Sequence, residues 1–212
     1  MSVNPRNPSS SSYHHGNLRQ VVLETGLSLI EQSGEPDFSV RELASLIGVT
    51  PPAVYRHFEN KDALLVALAV EGFSRLTAAQ ADAYRAVTKR ERSPRAAFVA
   101  GGSAYVEFAK AHPALFKLMF GKLALDHRGD GLLKMARQAN LDATIAGIRV
   151  VLGSTSTERQ VREYAIAAWS TVHGLSMLMI DRQLDVLDGN ESSASAVIEW
   201  AMQGLHSLSI GK

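Results

Sequence analysis

Helical periodicity runs through almost the whole of this chain. Apolar residues recur every three or four positions, as at Leu64, Leu68, Phe73 and Leu76, which is the spacing of one face of an α-helix. Short segments such as HP, DHRGDG, GSTS and DGNESS separate these stretches, and their Gly, Pro, Asn and Ser residues favour turns. No run of strands is indicated between them. We therefore predict an all-α protein of about nine helices.

Composition narrows the class of protein further. The chain has 212 residues, of which 46% are hydrophobic and 20% are charged, enough to bury a core in one or two domains. It contains no cysteine, which excludes disulfides, thiolate metal sites and cysteine nucleophiles and suits a reducing cytosol. Its first residues, MSVNPRNPSSSS, lack the apolar core of a signal peptide, and no apolar run approaches the roughly 20 residues of a membrane span. We expect a cytoplasmic protein that does not bind membranes.

The clearest helix boundaries lie before the middle of the chain. Ser39 and Glu42 match the S-x-x-E capping box that starts a helix, and Gly48 permits the left-handed backbone that ends one. The helix between these signals can be only about two turns long.

A second short helix is predicted in GVTPPAVYRHF, residues 48–58. Thr50 can act as its N-cap, and Pro51 and Pro52 fall in its first turn, where their fixed φ is suitable and no amide hydrogen is needed. The prolines therefore start a helix that ends near Phe58. Two short helices joined by a Gly-containing turn are typical of a helix-turn-helix.

The exposed face of this second helix favours nucleic-acid binding. Val54 and Phe58 have the spacing to close a small core, and small residues at the leading end let the backbone approach base edges or a thymine methyl. Tyrosine and histidine can donate to phosphates without adding formal charge, although Tyr55 could instead serve mainly as a core aromatic. The residues predicted at or near the open surface are Thr50, Pro51, Pro52, Ala53, Tyr55, Arg56 and His57.

Overall charge gives no independent support for a polyanionic partner. The formal net charge is +1, and the segment from Met1 to Lys61 contains five Lys or Arg against six Asp or Glu. The prediction therefore depends on where individual charges lie. Lys61 should begin a long helix, whose positive dipole end favours a phosphate. Arg41, on the preceding helix, is assigned to a backbone phosphate or a guanine edge.

The stretch YHHGNLRQVVLETGLSLIEQSGEPDFSVRELASLIGVTPPAVYRHFENKDALLVAL resembles the N-terminal DNA-binding domain of the TetR family of transcriptional regulators. Its most specific part is G-V-T-x-x-x-V-Y-R-H-F-x-N-K-x-A-L-L. The resemblance implies that residues 50–53, Tyr55 and His57 lie on the recognition helix, and that Lys61 binds a phosphate.

A second resemblance lies downstream. Trp169, His173 and Gly174 in AWSTVHGLSMLMI are similar to the Trp-His-Gly signature of one C-terminal subfamily, and AYVEFAKAHPALFKLMF fits the same group. In the TetR family the last two helices form a four-helix dimer interface, which the resemblance implies for Thr157–Asp181 and Ser195–Leu208. A two-fold dimer would present its recognition helices to major grooves roughly 34 Å apart, on a palindromic operator.

Three regions are predicted: a mobile tail at residues 1–13, a helix-turn-helix DNA-binding domain at 14–66, and a helical ligand-binding and dimerisation domain at 67–212. Aromatic and methionine side chains of the last region can line an apolar cavity for a small-molecule effector. No cofactor, metal ion or catalytic residue is expected. The candidates for the ligand pocket are Phe98, Tyr105, Phe108, Phe120, Trp169, His173 and Met177.

The functional hypothesis is a homodimeric repressor that a small effector releases from operator DNA. The helix from Lys61 to about Thr88 would act as the lever between the two sites. One alternative is an all-helical enzyme or ligand carrier with an incidental helix-turn-helix, although residues such as Glu107, His112 and His127 form no catalytic motif. A non-specific architectural DNA-binding protein is disfavoured by the near-neutral charge.

Overall fold

The computed structural model describes residues 17–127, 129–185, 195–201 and 203. Residues 195–201 are helical, and no described residue belongs to a strand, so the predicted all-α class is confirmed. The predicted tail at residues 1–13 lies outside the described residues. Nine α-helices precede residue 181: α1 (Leu18–Ser33), α2 (Val40–Leu46), α3 (Pro51–Tyr55), α4 (Lys61–Arg90), α5 (Pro94–Ala111), α6 (Pro113–Phe120), α7 (Lys122–Asp126), α8 (Gly131–Leu152) and α9 (Glu158–Ile180).

The first three helices close around a small apolar core. Val22 and Ile30 of α1, Leu43 of α2 and Val54 of α3 are fully buried, because apolar residues at helical spacing place one stripe of each helix inward. The turn between α2 and α3 depends on Gly48, whose φ of +71° is one that L-residues with a Cβ rarely adopt.

Local capping fixes where these helices begin. The Ser39 side chain accepts a 3.0 Å hydrogen bond from the Glu42 amide at the start of α2, and the Asn60 side chain accepts one of 2.8 Å from Ala63 at the start of α4. Asn17 occupies the N-cap position of α1 without a side-chain cap bond. Helix α3 ends at Tyr55, shorter than predicted, and a hydrogen-bonded turn continues the chain to Phe58.

Helix α4 is the central element of the molecule. Its 30 residues span about 45 Å at 1.5 Å per residue. The helix packs on α1 near its start and on α5, α6 and α8 further along. Leu64, Leu68 and Leu76 on its inner face are fully buried. One continuous helix therefore joins the first three helices to the remainder of the fold.

The remaining helices form a body around the far half of α4. Helix α5 lies between α4 and α9, and α8 contacts α4, α5 and α9. The short helix α7 was not predicted from the sequence. Between α1 and this body, His112 Nδ1 lies 3.1 Å from Glu31 Oε1, and α1 also packs on α6. Across the described part of the chain, no helix combines the length and the apolarity that a membrane crossing requires.

Candidate nucleic-acid interface and ligand cavity

Helix α3 is anchored by two apolar side chains and presents the rest of its surface. Val54 is fully buried and Phe58 is 5% exposed, whereas Tyr55 is 44% exposed. Thr50, Pro52, Arg56 and His57 are exposed, and Pro51 and Ala53 are partly buried. The arrangement leaves a short edge of small and hydrogen-bonding residues exposed on the surface.

The double proline changes what the Thr50 hydroxyl can do. Thr50 has the extended backbone of an N-cap, with φ −88° and ψ 150°, yet its side chain makes no cap bond. Pro51 and Pro52 have no amide hydrogen, and the amide of Ala53 donates to the Thr50 carbonyl at 2.9 Å. The hydroxyl at the leading edge of α3 therefore remains available for an external acceptor.

Lys61 lies at the first position of α4 beside an acidic side chain. Its Nζ donates a 2.9 Å hydrogen bond to Asp37 Oδ1, and the same atom lies 5.8 Å from the centre of the Phe38 ring. The Lys61 side chain is 37% exposed and that of Asp37 is 84% exposed. A phosphate at this position would compete with Asp37 for the ammonium group.

Two further arginines lie on the neighbouring helices α1 and α2. Arg41 is exposed on α2, and no carboxylate in the described part of the chain pairs with it. The guanidinium carbon of Arg19 on α1 lies 5.4 Å from the centre of the Phe58 ring, a cation–π distance. Arg19 was not among the predicted DNA-binding residues. Arg19 could have been recognised in the sequence because it is the single Lys or Arg of α1.

A cavity of about 390 Å³ lies in the body, against the far half of α4. Three of the predicted pocket residues, Phe98, Tyr105 and Trp169, line it. Helix α4 contributes Thr77, Gln80, Ala81, Tyr84 and Arg85 to the wall, none of which was predicted. The volume falls within the range of small-molecule sites in proteins.

A second cavity of about 300 Å³ adjoins the first. The two linings share Thr144 and Trp169, and Phe120 from the predicted set lines the second. Phe108, His173 and Met177 line neither of the two cavities.

Tyr105, Trp169 and His173 form a hydrogen-bonded group in the wall between α5 and α9. Trp169 Nε1 donates to the Tyr105 hydroxyl at 3.3 Å, and that hydroxyl lies 2.9 Å from His173 Nδ1. Burial raises the pKa of Tyr105 above its usual range and lowers the pKa of His173. At neutral pH the phenol is protonated and the imidazole is neutral, and Tyr105 donates its hydrogen to Nδ1 when the ring carries its own hydrogen on Nε2.

Aromatic contacts hold this group in place. The His173 ring lies 4.7 Å from the Phe120 ring and 5.5 Å from the Phe116 ring, measured between centroids. His173 therefore supports the cavity wall from behind through Tyr105, rather than facing the cavity itself.

A buried amide links α8 to α4 beside both cavities. Asn140 is only 7% exposed, and its Nδ2 donates to Gln80 Oε1 at 2.8 Å and to Thr77 Oγ1 at 3.0 Å. Asn140 lines the second cavity, whereas Thr77 and Gln80 line the first. This residue was not predicted, although it falls on the same helical stripe as Ala136, Thr144 and Gly147.

Helix α9 leaves a narrow strip of its surface uncovered. Ile166 is 59% exposed and Leu178 is 44% exposed, and the intervening Ser170 and Gly174 are exposed as well. These four residues follow each other at intervals of four and therefore lie on one face. A Cβ added at Gly174 would meet no atom within 4 Å, so a flat, small-residue surface is open on this side.

Comparisons with known proteins agree on both halves of the chain. Residues 22–68 match the family described as bacterial regulatory proteins, tetR family, and residues 98–205 match the family described as tetracyclin repressor-like, C-terminal domain. The tetracycline repressor protein class C of Escherichia coli is 47% identical over 51 residues, which is 24% of this chain and 23% of that repressor. The likeness to that repressor is thus confined to about a quarter of its length.

Other relatives are similar over nearly the whole chain. The uncharacterized HTH-type transcriptional regulator YobS of Bacillus subtilis is 28% identical over 198 residues, covering 90% of this chain and 93% of YobS. A protein with unknown function from Rhodococcus sp. RHA1 has a solved structure with a TM-score of 0.73 and 34% identity, covering 92% of this chain and 97% of that one.

The TetR family transcriptional regulator PfmR of Thermus thermophilus shares the fold, with a TM-score of 0.57 at 19% identity over 87% of this chain and 97% of PfmR. Both the N-terminal and the C-terminal region match families of bacterial regulators. These matches favour a DNA-binding regulator over the alternative of an enzyme or ligand carrier with an incidental helix-turn-helix. The chain belongs to the TetR family of bacterial transcriptional regulators.

Proposed function

We propose that this regulator is a homodimeric repressor that binds a palindromic operator and leaves it when a small molecule occupies the C-terminal cavities. The observation that carries the proposal is the exposed edge of α3 above the buried Val54 and Phe58. Such an edge suits insertion into a major groove, because its residues are small enough for close approach and its hydrogen-bonding groups point outward.

Each predicted DNA-binding residue receives a role in this proposal. Pro51, Pro52 and Ala53 contact base edges or thymine methyl groups. The hydroxyls of Thr50 and Tyr55 and the imidazole of His57 donate to phosphates, and three cations complete the phosphate contacts. The full set is Arg41, Thr50, Pro51, Pro52, Ala53, Tyr55, Arg56, His57 and Lys61.

The link between effector and DNA is helix α4. Lys61 begins this helix near the proposed interface, and Thr77 and Gln80 line the larger cavity on the same helix. The separation of 16 residues along α4, from Lys61 to Thr77, corresponds to about 24 Å. A ligand that displaces α4 at the cavity would change the spacing of the two recognition helices. The ligand favours release from DNA only to the extent that it binds the released conformation more tightly than the DNA-bound conformation.

Dimerisation is assigned to α9 and the terminal helix. The exposed strip formed by Ile166, Ser170, Gly174 and Leu178 supports this assignment, since small residues let two helices approach closely. In the described part of the terminal helix, Trp200 is 77% exposed and adds apolar surface. Leu205 and Leu208, also expected in that helix, lie outside the described residues.

DNA titration tests the proposal. The full-length protein is titrated by fluorescence anisotropy against the DNA upstream of its own coding sequence and against a scrambled duplex of equal length. We expect the natural sequence to bind at least 100-fold more tightly at physiological salt. Arg56→Ala should weaken binding, whereas Lys122→Ala, which removes the same charge from the exposed surface of α7, should not. Equal binding of both duplexes would refute sequence-specific repression.

A further inference from the structure

The two adjoining cavities have a one-sided charge distribution. No Asp or Glu lines either cavity in the described part of the chain, whereas Arg85 lines the first and Lys134 and Arg137 line the second. A cationic ligand would find no counter-ion here and would be repelled by the cations at the rim.

The three cations differ in how they are paired. Arg85 Nη2 lies 2.5 Å from Asp82 Oδ1, so a neighbouring carboxylate already compensates its charge. Lys134 and Arg137 have no carboxylate partner among the described residues. They lie three positions apart on α8 and therefore share one helix face, where an anion between them would offset their mutual repulsion.

Beyond these two cations the lining is largely apolar, with Gln138, Asn140 and Thr144 as the uncharged polar residues of the second cavity. Phe73, Phe120 and Leu141 line the second cavity, and Trp169 lies where it adjoins the first. The first cavity continues with Phe98 and with alanine, glycine and valine residues. A ligand that fills both cavities therefore needs one polar end and a long apolar body.

We propose that the effector is an amphipathic monocarboxylate. Its carboxylate binds Arg137 and Lys134 at the rim of the second cavity, and its aliphatic or aryl body passes Trp169 into the larger apolar cavity. The guanidinium of Arg137 suits this role because it can bind both carboxylate oxygens with parallel hydrogen bonds. This inference rests on the proposed effector control and specifies the chemistry of its ligand.

Three probes with the same tail test the charge preference directly. Decanoate, decanol and decylamine carry an anionic, a neutral and a cationic head group at neutral pH. Binding is read from the fluorescence of Trp169 in a Trp200→Phe background, which leaves Trp169 as the single tryptophan of the chain. We expect decanoate to bind about tenfold more tightly than decanol, and decylamine to bind more weakly than both. If decylamine bound as tightly as decanoate, or more tightly, the proposal would be overturned.

Substitutions then test the assigned residues. The double variant Lys134→Gln with Arg137→Gln should weaken decanoate binding at least tenfold and change decanol binding less than twofold. Lys122 is an exposed cation that lines neither cavity. The variant Lys122→Gln is therefore the matched control and should leave both affinities unchanged. A uniform loss for decanoate and decanol in the double variant would mean that the cations do not bind the head group, and would refute the assignment.

DNA binding is measured separately, so that the two proposals can fail independently. If decanoate binds with the expected charge preference but leaves the affinity for DNA unchanged, release by an effector is refuted and the carboxylate chemistry of the site stands. If the protein binds its operator but shows no preference for decanoate over decanol, the carboxylate inference is refuted and DNA-binding function stands.

Discussion

The side-chain amide of Asn140 on α8 donates a 2.8 Å hydrogen bond to the Gln80 side chain on α4. The second hydrogen of the same amide goes to Thr77 at 3.0 Å, so both donor positions of Asn140 are used. These bonds tie α8, which carries the proposed carboxylate site, to the helix that starts at the proposed DNA-binding surface. Asn140 thus joins the helix of one proposed site to the helix that begins at the other.

Asn140→Leu should destabilise the protein. Leucine has a similar size but leaves Thr77 and Gln80 without their partner, at an expected cost of about 1–3 kcal/mol. The free energy of unfolding is measured by urea denaturation. Gln138→Leu makes the corresponding change at an exposed position of α8 and should cost less than about 0.5 kcal/mol. Equal costs for the two variants would contradict a structural role for the buried amide.

Lys61→Ala should weaken binding to every DNA sequence and lower the slope of log affinity against log salt by about one. The reason is that one phosphate contact and its released counter-ion are lost. The slope is measured by anisotropy titrations at several salt concentrations. An unchanged slope would show that Lys61 does not contact a phosphate.

Asp37→Asn should have the opposite effect on affinity. Asp37 holds the Lys61 ammonium at 2.9 Å, and it also adds a negative charge near the proposed phosphate position. Its removal should strengthen DNA binding several-fold, most clearly at low salt, because both effects are screened by ions. The exposed pair contributes at most about 1 kcal/mol to folding, so a large loss of stability in Asp37→Asn is not expected. If its DNA affinity were unchanged or reduced, competition between Asp37 and phosphate would be ruled out.

Tyr55→Phe separates a hydrogen-bonding role from a packing role. If the exposed hydroxyl donates to a phosphate, its removal should cost roughly 1 kcal/mol of DNA affinity and leave the urea midpoint of the free protein unchanged. A lower midpoint with unaltered DNA affinity would instead identify Tyr55 as a core aromatic. Anisotropy and urea denaturation on the same preparation distinguish the two results.

Gly174→Lys should raise the fraction of monomer. A Cβ at Gly174 has open space in the protomer, so the substitution should not disturb the fold, whereas a long charged side chain would prevent close approach of a second α9. Sedimentation velocity over a range of concentrations measures the change. Ala139→Lys, at an exposed position on α8, is the control and should leave the dimer intact. If Gly174→Lys formed the same fraction of dimer as the wild type, the dimer interface would lie elsewhere.

Much of the fold follows from local signals that the sequence displays. Helices α5 and α6 begin at Pro94 and Pro113, and Gly153 follows the end of α8, so proline and glycine mark these limits in the sequence. Helix α7 was missed because its five residues, Lys122–Asp126, are too few to show a helical period. The end of α3 was placed too late because the turn after Tyr55 keeps helix-like hydrogen bonds, from the Arg56 amide to Pro52 and from the Phe58 amide to Val54.

The candidate sites depended more on tertiary contacts, which periodicity does not reveal. Lys61 and Asp37 are 24 residues apart, and their pairing requires the packing of the first helices. Asn140 resembles any polar residue of an amphipathic helix until α4 is placed against it. Predicting the pocket from residue type identified Phe98, Tyr105 and Trp169 but also selected His173, which supports the wall from the side of α9.

His173 should make the stability of the protein depend on pH in a defined window. Burial lowers its pKa from the ordinary value of 6.5. Below about pH 6.5, the His173 imidazole therefore binds a proton more readily in the unfolded chain than in the folded protein. The unfolded state then holds more protons, and the free energy of unfolding falls as the pH is lowered. Above that window the imidazole is neutral in both states and contributes no pH dependence.

Comparison with His173→Gln isolates this contribution, since the glutamine carbonyl can still accept the hydrogen of Tyr105. Between pH 7.5 and 5.5 a single histidine kept fully neutral in the folded state would lower stability by about 1.4 kcal/mol. The imidazole is only half-buried, so solvent screening should keep the difference between wild type and variant below that limit. Urea denaturation at both pH values measures it. If wild type and His173→Gln lost the same stability over this range, the acid sensitivity would belong to other groups.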